Sequence, residues 1–163
     1  MIKYTQSAYN TTLLITEIKK KTNFHRILVP VTGTDADDET MHMACWIAKR
    51  DKCRLFALYV ITIKRSLPLE AEIESETRRA EELVDRMARI TEEEDLQLET
   101  NILQAREVAP AIIDEAVDRK IDLIIMGIKY KRRFGQFSLG NIVPYVLKNA
   151  PCQVMLYSQF NTE

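Results

Sequence analysis

From His25 onward the chain alternates short, nearly continuous apolar runs with longer segments whose apolar residues recur at helical spacing. That alternation reads as strands joined by crossover helices, an open α/β parallel sheet with helices on both faces. The runs Ile27 to Val31, Leu55 to Ile61 and Ile121 to Met126 are apolar on both faces, as strands between two helical layers must be. The stretch Leu96 to Ile102 instead alternates Leu96, Leu98, Thr100 and Ile102 with Gln97, Glu99 and Asn101, which predicts an edge strand. A fifth strand, Gln153 to Tyr157, forms the other edge. Its Val154, Met155, Leu156 and Tyr157 put apolar groups on both faces, so this edge is expected to pair with a second copy of the chain.

Between the strands, Met41, Ala44, Cys45 and Ala48 recur at i, i+3, i+4 and i+7, as do Ala80, Leu83, Val84 and Met87, and again Val143, Val146, Leu147 and Ala150. Each set is an apolar stripe laid on the sheet. The charged run Glu70 to Asp95 reads as the solvated face of a long second helix. Residues 1–24 follow none of these patterns and form an N-terminal extension of unassigned role, leaving residues 25–163 as the domain.

At 163 residues, 46% hydrophobic and 29% charged, the chain suits one domain. Its 23 basic and 24 acidic side chains leave a net charge of -1, which argues against nucleic acid and membrane surfaces as partners. Cys45, Cys53 and Cys152 are scattered and read as reduced, buried thiols, and His25 and His42 are too few and too far apart for a zinc site, so no metal is expected. No secretory signature and no run of about 18 apolar residues is present, so a cytoplasmic protein without membrane insertion is expected.

The four glycines are confined to two places: Gly33 after the first strand, and Gly127, Gly135 and Gly140 in the loop assigned after the fourth. With strand order 3-2-1-4-5 and right-handed crossovers, these two loops meet at the carboxyl ends of the strands where the winding reverses, the usual ligand position of such sheets. The first helix opens with Thr34, Asp35, Asp37, Asp38 and Glu39, which read as caps that repel phosphate. The fourth opens with Gly140 and Asn141, a candidate N-cap, without an acidic residue in its first turn and after Lys129, Lys131, Arg132 and Arg133. An anion site and a plain basic surface loop both fit that pattern. Pro144 removes one N–H from the turn, and Tyr130, Phe134 and Phe137 interleave the charges. Neither a GxGxxG after strand one nor a GxxxxGK[ST] occurs.

The segments HRILVPVTGT (His25 to Thr34), IDLIIMGIKY and GNIVPYVLKNAPCQVMLY resemble, in order and spacing, the signature segments of the universal stress protein family of the UspA type. The resemblance implies an adenine nucleotide alpha-hydrolase-like fold with sheet order 3-2-1-4-5 and dimers formed through the last strand. It also implies, in one branch, ATP held by Gly-x-x-Gly, nine residues, then Gly-Ser/Thr. The spacing survives as Gly127, Ile128, Lys129, Tyr130, nine residues, Gly140 and Asn141. Tyr130 replaces the second glycine, Asn141 the hydroxyl residue, and Thr32 an aspartate beside the adenine and ribose; Arg106 stands where small residues are frequent. Carried over by position, the site is Pro30, Val31 and Thr32 at the adenosine and Gly127, Lys129, Tyr130, Gly140, Asn141 and Ile142 around the phosphates. The implied function is a non-catalytic, homodimeric regulator or sensor that binds ATP or another adenine nucleotide with its accompanying magnesium. The alternative is a nucleotide-free module of the same fold that binds a protein partner. No catalytic base, nucleophile or metal-carboxylate set accompanies the glycine loop, so no enzymatic role is expected.

Overall fold

The computed structural model describes residues 23–129 and 140–158. The N-terminal extension up to residue 22, Tyr130, Lys131, Arg132, Arg133, Phe134, Gly135 and Phe137 lie outside the described residues.

The elements follow in the order β1 (Arg26–Val31), α1 (Ala36–Asp51), β2 (Arg54–Thr62), α2 (Glu74–Glu93), β3 (Leu98–Ala105), α3 (Val108–Asp118), β4 (Leu123–Ile128), α4 (Ile142–Asn149) and β5 (Gln153–Ser158). They build one five-stranded sheet in the order β3-β2-β1-β4-β5, with every pairing parallel. This is the order expected from the edge-like third strand, the placement of the glycines and the family resemblance.

Alternation along each strand divides the core into two layers. Ile27, Val29 and Val31 of β1, Leu55, Ala57 and Tyr59 of β2, and Leu123 and Ile125 of β4 pack with Met41, Ala44, Cys45, Leu83, Val84 and Met87 of α1 and α2. Leu28, Phe56, Leu58, Ile124 and Met126 point the other way, against Ala109, Ile112 and Ala116 of α3 and Val143 and Val146 of α4. The edge strand β3 is only half-buried along most of its length, with Glu99 and Thr100 exposed.

The fourth strand starts two residues later than the apolar run beginning at Ile121 suggests. Ile121 is buried but belongs to the turn, its N–H donating to the carbonyl of Ala116. The following Asp122 accepts the N–H groups of His25 (2.8 Å) and Arg26 (3.0 Å), tying the start of β4 to the start of β1. The strand therefore runs on through Gly127 and Ile128, and Gly127, expected in a loop, is a strand residue.

Pro30 decides how β1 and β4 part. Arg26 gives its carbonyl to the N–H of Asp122 and His25 gives its own to the N–H of Arg54, so even-numbered positions of β1 point toward β4 and odd ones toward β2. Pro30 falls on the β4 side and brings no N–H to it. The β1–β4 ladder is in register only at Ile27 with Leu123 and Leu28 with Ile124, whereas the β1–β2 ladder continues from Arg26 to Val31. The carboxyl halves of β1 and β4 thus stand beside each other without a ladder at the point where the winding reverses, the place where sheets of this kind open a ligand crevice.

Candidate functional site

At that place the β1–α1 loop, Thr32 to Asp35, follows β1, and Gly127 to Lys129 close β4, with α4 beginning at Ile142. Pro30 and Val31 are buried in β1, while Thr32 is exposed. Gly140, Asn141 and Ile142 stand at the start of α4, the first two exposed. Asn141 is the N-cap by position, but its side chain makes no capping hydrogen bond, so the expected amide cap is absent. Tyr130, the residue proposed at the second glycine position, lies outside the described residues.

The glycines serve different ends. Gly33 has φ +79°, in the left-handed region that glycine enters without steric penalty, and lets the chain turn back over α1. A Cβ there would also meet the Arg79 guanidinium at 3.0 Å. Gly127 has no such φ; its constraint is space, since a Cβ would lie 2.4 Å from Oγ1 of Thr40 and 3.1 Å from the carbonyl oxygen of Ala36. Its missing side chain lets the first turns of α1 press onto the end of β4. A phosphate contact is not needed to explain this glycine.

The acidic residues at the start of α1 were expected to be helix caps. Asp35 occupies the N-cap position without a side-chain capping bond, and Asp37 reaches backward into the loop instead. Its carboxylate accepts the N–H of Thr32 (3.1 Å), Gly33 (2.6 Å) and Thr34 (3.0 Å), and the hydroxyl of Thr32 (3.1 Å). Consecutive loop N–H groups converging on one oxygen-bearing group form an anion nest, and this nest is filled by the protein's own carboxylate. Asp37 is 2% exposed. Burial pushes its carboxyl above the ordinary value, opposed by the hydrogen bonds from Thr32, Gly33 and Thr34. The sequence contained the signal for this role, a carboxylate three to five positions after a Thr-Gly-Thr turn, but capping accounts for the same residue type equally well.

Lys129, proposed as a phosphate partner, places Nζ 2.5 Å from Oδ2 of Asp35. This hydrogen bond and the charge of Lys129 hold the Asp35 carboxyl below its ordinary value. The loop between β2 and α2 is held by Arg106 at the end of β3. Its guanidinium donates to the carbonyls of Ile63 (3.2 Å), Lys64 and Leu67 (2.8 Å), while Nε2 of Gln104 donates to the carbonyl of Ala71 (3.2 Å). Arg106 is thus a loop clamp. Among the described residues no group of three His, Cys, Asp or Glu side chains is placed to hold a metal ion, and no helix is long and apolar enough to cross a membrane.

The model of the universal stress protein family matches residues 23–158, a span that contains both the β1–α1 loop and the start of α4. The chain belongs to that family. A universal stress protein of Methanocaldococcus jannaschii is 30% identical to it over 141 residues, covering 82% of this chain and 81% of the relative. The solved universal stress protein from Archaeoglobus fulgidus superposes with a TM-score of 0.70 at 18% identity, covering 82% of this chain and 98% of the other. The structure of the universal stress protein from Archaeoglobus fulgidus in complex with dAMP superposes at 0.65 and 18% identity, covering 83% and 98% of the two chains. In this universal stress protein the exposed Thr32 follows β1, and its hydroxyl donates to the buried Asp37 carboxylate behind it.

Proposed function

We propose that this universal stress protein is a non-catalytic, dimeric regulator that binds an adenine nucleotide, ATP foremost, in the crevice between the β1–α1 loop and the start of α4. The observation that carries the reading is the end of the β1–β4 ladder after Leu28 and Ile124, at the point where the winding reverses and the exposed Thr32 follows β1. The dAMP complex of a universal stress protein of the same fold supports an adenine nucleotide as the ligand class. In this reading Val31 and Thr32 face the nucleoside, Gly140, Asn141 and Ile142 the phosphates, and Lys129 exchanges Asp35 for a phosphate oxygen. Magnesium arrives with the nucleotide. No side chain is assigned a chemical step. The homodimer forms through β5, whose outer edge has no partner strand among the described residues and whose Val154, Met155, Leu156 and Tyr157 are half-buried in the single chain.

The Lys129–Asp35 pair favours a second reading, a nucleotide-free module that presents the same surface to a protein partner, because it already neutralises a cation at the phosphate end. Isothermal titration with ATP, AMP and GTP, with and without magnesium, on protein freed of co-purified nucleotide separates the two. Saturable ATP binding with weaker GTP binding supports the nucleotide reading. Absence of binding up to millimolar ATP, above about -4 kcal/mol on the affinity scale, leaves the interaction module. Light scattering on the same samples tests the dimer, and a monomer at all concentrations would contradict the role given to β5.

A further inference from the structure

We infer that the outer edge of β3 is the docking site of the chain's own N-terminal segment, Thr11 to Ile18, which adds to the sheet as a further strand antiparallel to β3.

Strand β3 pairs with β2, and among the described residues no strand lies on its other side. One hydrogen bond tells which of its backbone groups face outward. The carbonyl of Ala105 accepts the N–H of Ile63, just past the end of β2, at 2.9 Å. The odd positions of β3 therefore turn their backbone groups to β2, while Leu98, Thr100 and Ile102 turn theirs outward. A row of outward N–H and carbonyl groups is a template for another strand. The side chains on this alternation face α2, and Leu98 and Ile102 are only half-buried against it. Beside them, Ala88, Thr91 and Glu92 of α2 with Leu96 and Leu98 line a groove of about 260 Å³.

Length, reach and charge select the occupant. The segment TTLLITEI, Thr11 to Ile18, is rich in β-branched residues and has eight residues, as β3 has. It precedes β1, where Phe24 is fastened on the β2 side: its N–H donates to Asp51 (3.2 Å) and its carbonyl accepts from the Cys53 thiol (3.0 Å). From β1 to a strand beyond β3 is three strand spacings, about 14 Å, and the five residues Lys19 to Asn23 reach about 16 Å when extended. The segment must end near the amino end of β1, so it runs antiparallel to β3. A parallel strand would end at the opposite end of the sheet, beyond the reach of that link. The link carries Lys19, Lys20 and Lys21, and on its way it passes the turn that enters β3. There Glu92, Glu93 and Asp95 are exposed and form no ion pair among the described residues, Glu94 being held by Lys49. The outer edge of β5 is equally far from β1, but the turn that enters it, Ala150 to Cys152, carries no acidic residue.

Backbone amide hydrogen exchange and nuclear Overhauser contacts in the full chain test the inference. In the wild type the outward amides of Leu98, Thr100 and Ile102 are expected to exchange within about tenfold of the inward amides of Asn101 and Leu103. Contacts between residues 11–18 and these outward positions are expected in the same sample, unchanged on dilution. Leu14→Pro/Ile15→Pro removes one N–H directed at β3 whichever alternation the segment adopts. It should speed the outward amides by roughly a hundredfold while Asn101 and Leu103 stay slow, which also shows that the domain remains folded. Outward amides that exchange freely in the wild type mean an open edge and overturn the inference. A protected edge without contacts to residues 11–18, or one that loses protection on dilution, overturns it as well, the latter by showing that a second copy covers β3.

Discussion

Lys129 and Asp35 form an ion pair with Nζ and Oδ2 2.5 Å apart, joining the end of β4 to the entrance of α1. Both side chains are substantially exposed, at 46% and 93%, so salt and water compete with the pair and little stability depends on it. Its consequence lies in binding, because the ligand must recruit the cation away from Asp35. Asp35→Asn is expected to raise ATP affinity roughly two- to fivefold, and Lys129→Ala to lower it by a similar factor, with both effects shrinking at high salt. Titrations at low and high ionic strength check this. Unchanged affinity in both variants would remove Lys129 from the site.

Gly127 answers to packing. A methyl group at this position would overlap Oγ1 of Thr40 and crowd the carbonyl of Ala36, so Gly127→Ala must displace the first turns of α1. A loss of about 1–3 kcal/mol is expected in urea unfolding, the usual range for an overfilled site. Thr40→Ala removes the nearer clash, so the double variant Gly127→Ala/Thr40→Ala should lose less than the sum of the two single changes.

Arg106 holds three carbonyls of the β2–α2 connection with one planar guanidinium. Arg106→Ala is expected to raise hydrogen exchange and protease cleavage across residues 64–71 while exchange in β1 and β2 stays slow. Arg106→Lys should not rescue the loop, since an ammonium cannot reproduce the fork. Equal protection in wild type and Arg106→Ala would show that the clamp is not what orders the segment.

Cys45 is 1% exposed, and burial, followed by the charge of Glu94, raises its thiol from 9.0 to about 11. Below pH 9 both folded and unfolded chains keep the proton and this group contributes no pH dependence. Between pH 9 and about 11 the unfolded thiol ionises first, so the unfolded state binds fewer protons and stability falls as pH rises. The contribution approaches about 1.4 kcal/mol per pH unit within that window. Urea unfolding from pH 8 to 10.5 should show a shallower decline for Cys45→Ala than for the wild type, and parallel profiles would contradict the assignment.

The interior strands are legible because burial on both faces leaves continuous apolar runs, and the polar alternation around Glu99 marks β3 as an edge, which with the glycine placement supports the order of the sheet. Burial does not identify a ladder, however. Ile121 is apolar and buried yet belongs to a turn, which is why β4 was displaced and Gly127 was read as a loop glycine. The loop carboxylates were harder still. Asp35, Asp37 and Asp38 are alike in sequence, and only the backward fold of the chain at Gly33 separates them, sending Asp37 inward to the loop N–H groups, Asp35 to Lys129 and Asp38 to Arg86. Pro30 stands in a segment that resembles the family's, but its effect on the β1–β4 ladder depends on which neighbour the missing N–H would face, which is a property of the register.

A nucleotide bound as proposed bridges loop one and the start of α4. Backbone amide chemical shifts of labelled protein titrated with ATP test it most directly. Concerted, saturable shifts are expected at Thr32, Gly33, Gly140 and Asn141, with Glu99 and Thr100 on the far edge unchanged. Shifts confined to one wall, or none at millimolar ATP, would contradict it.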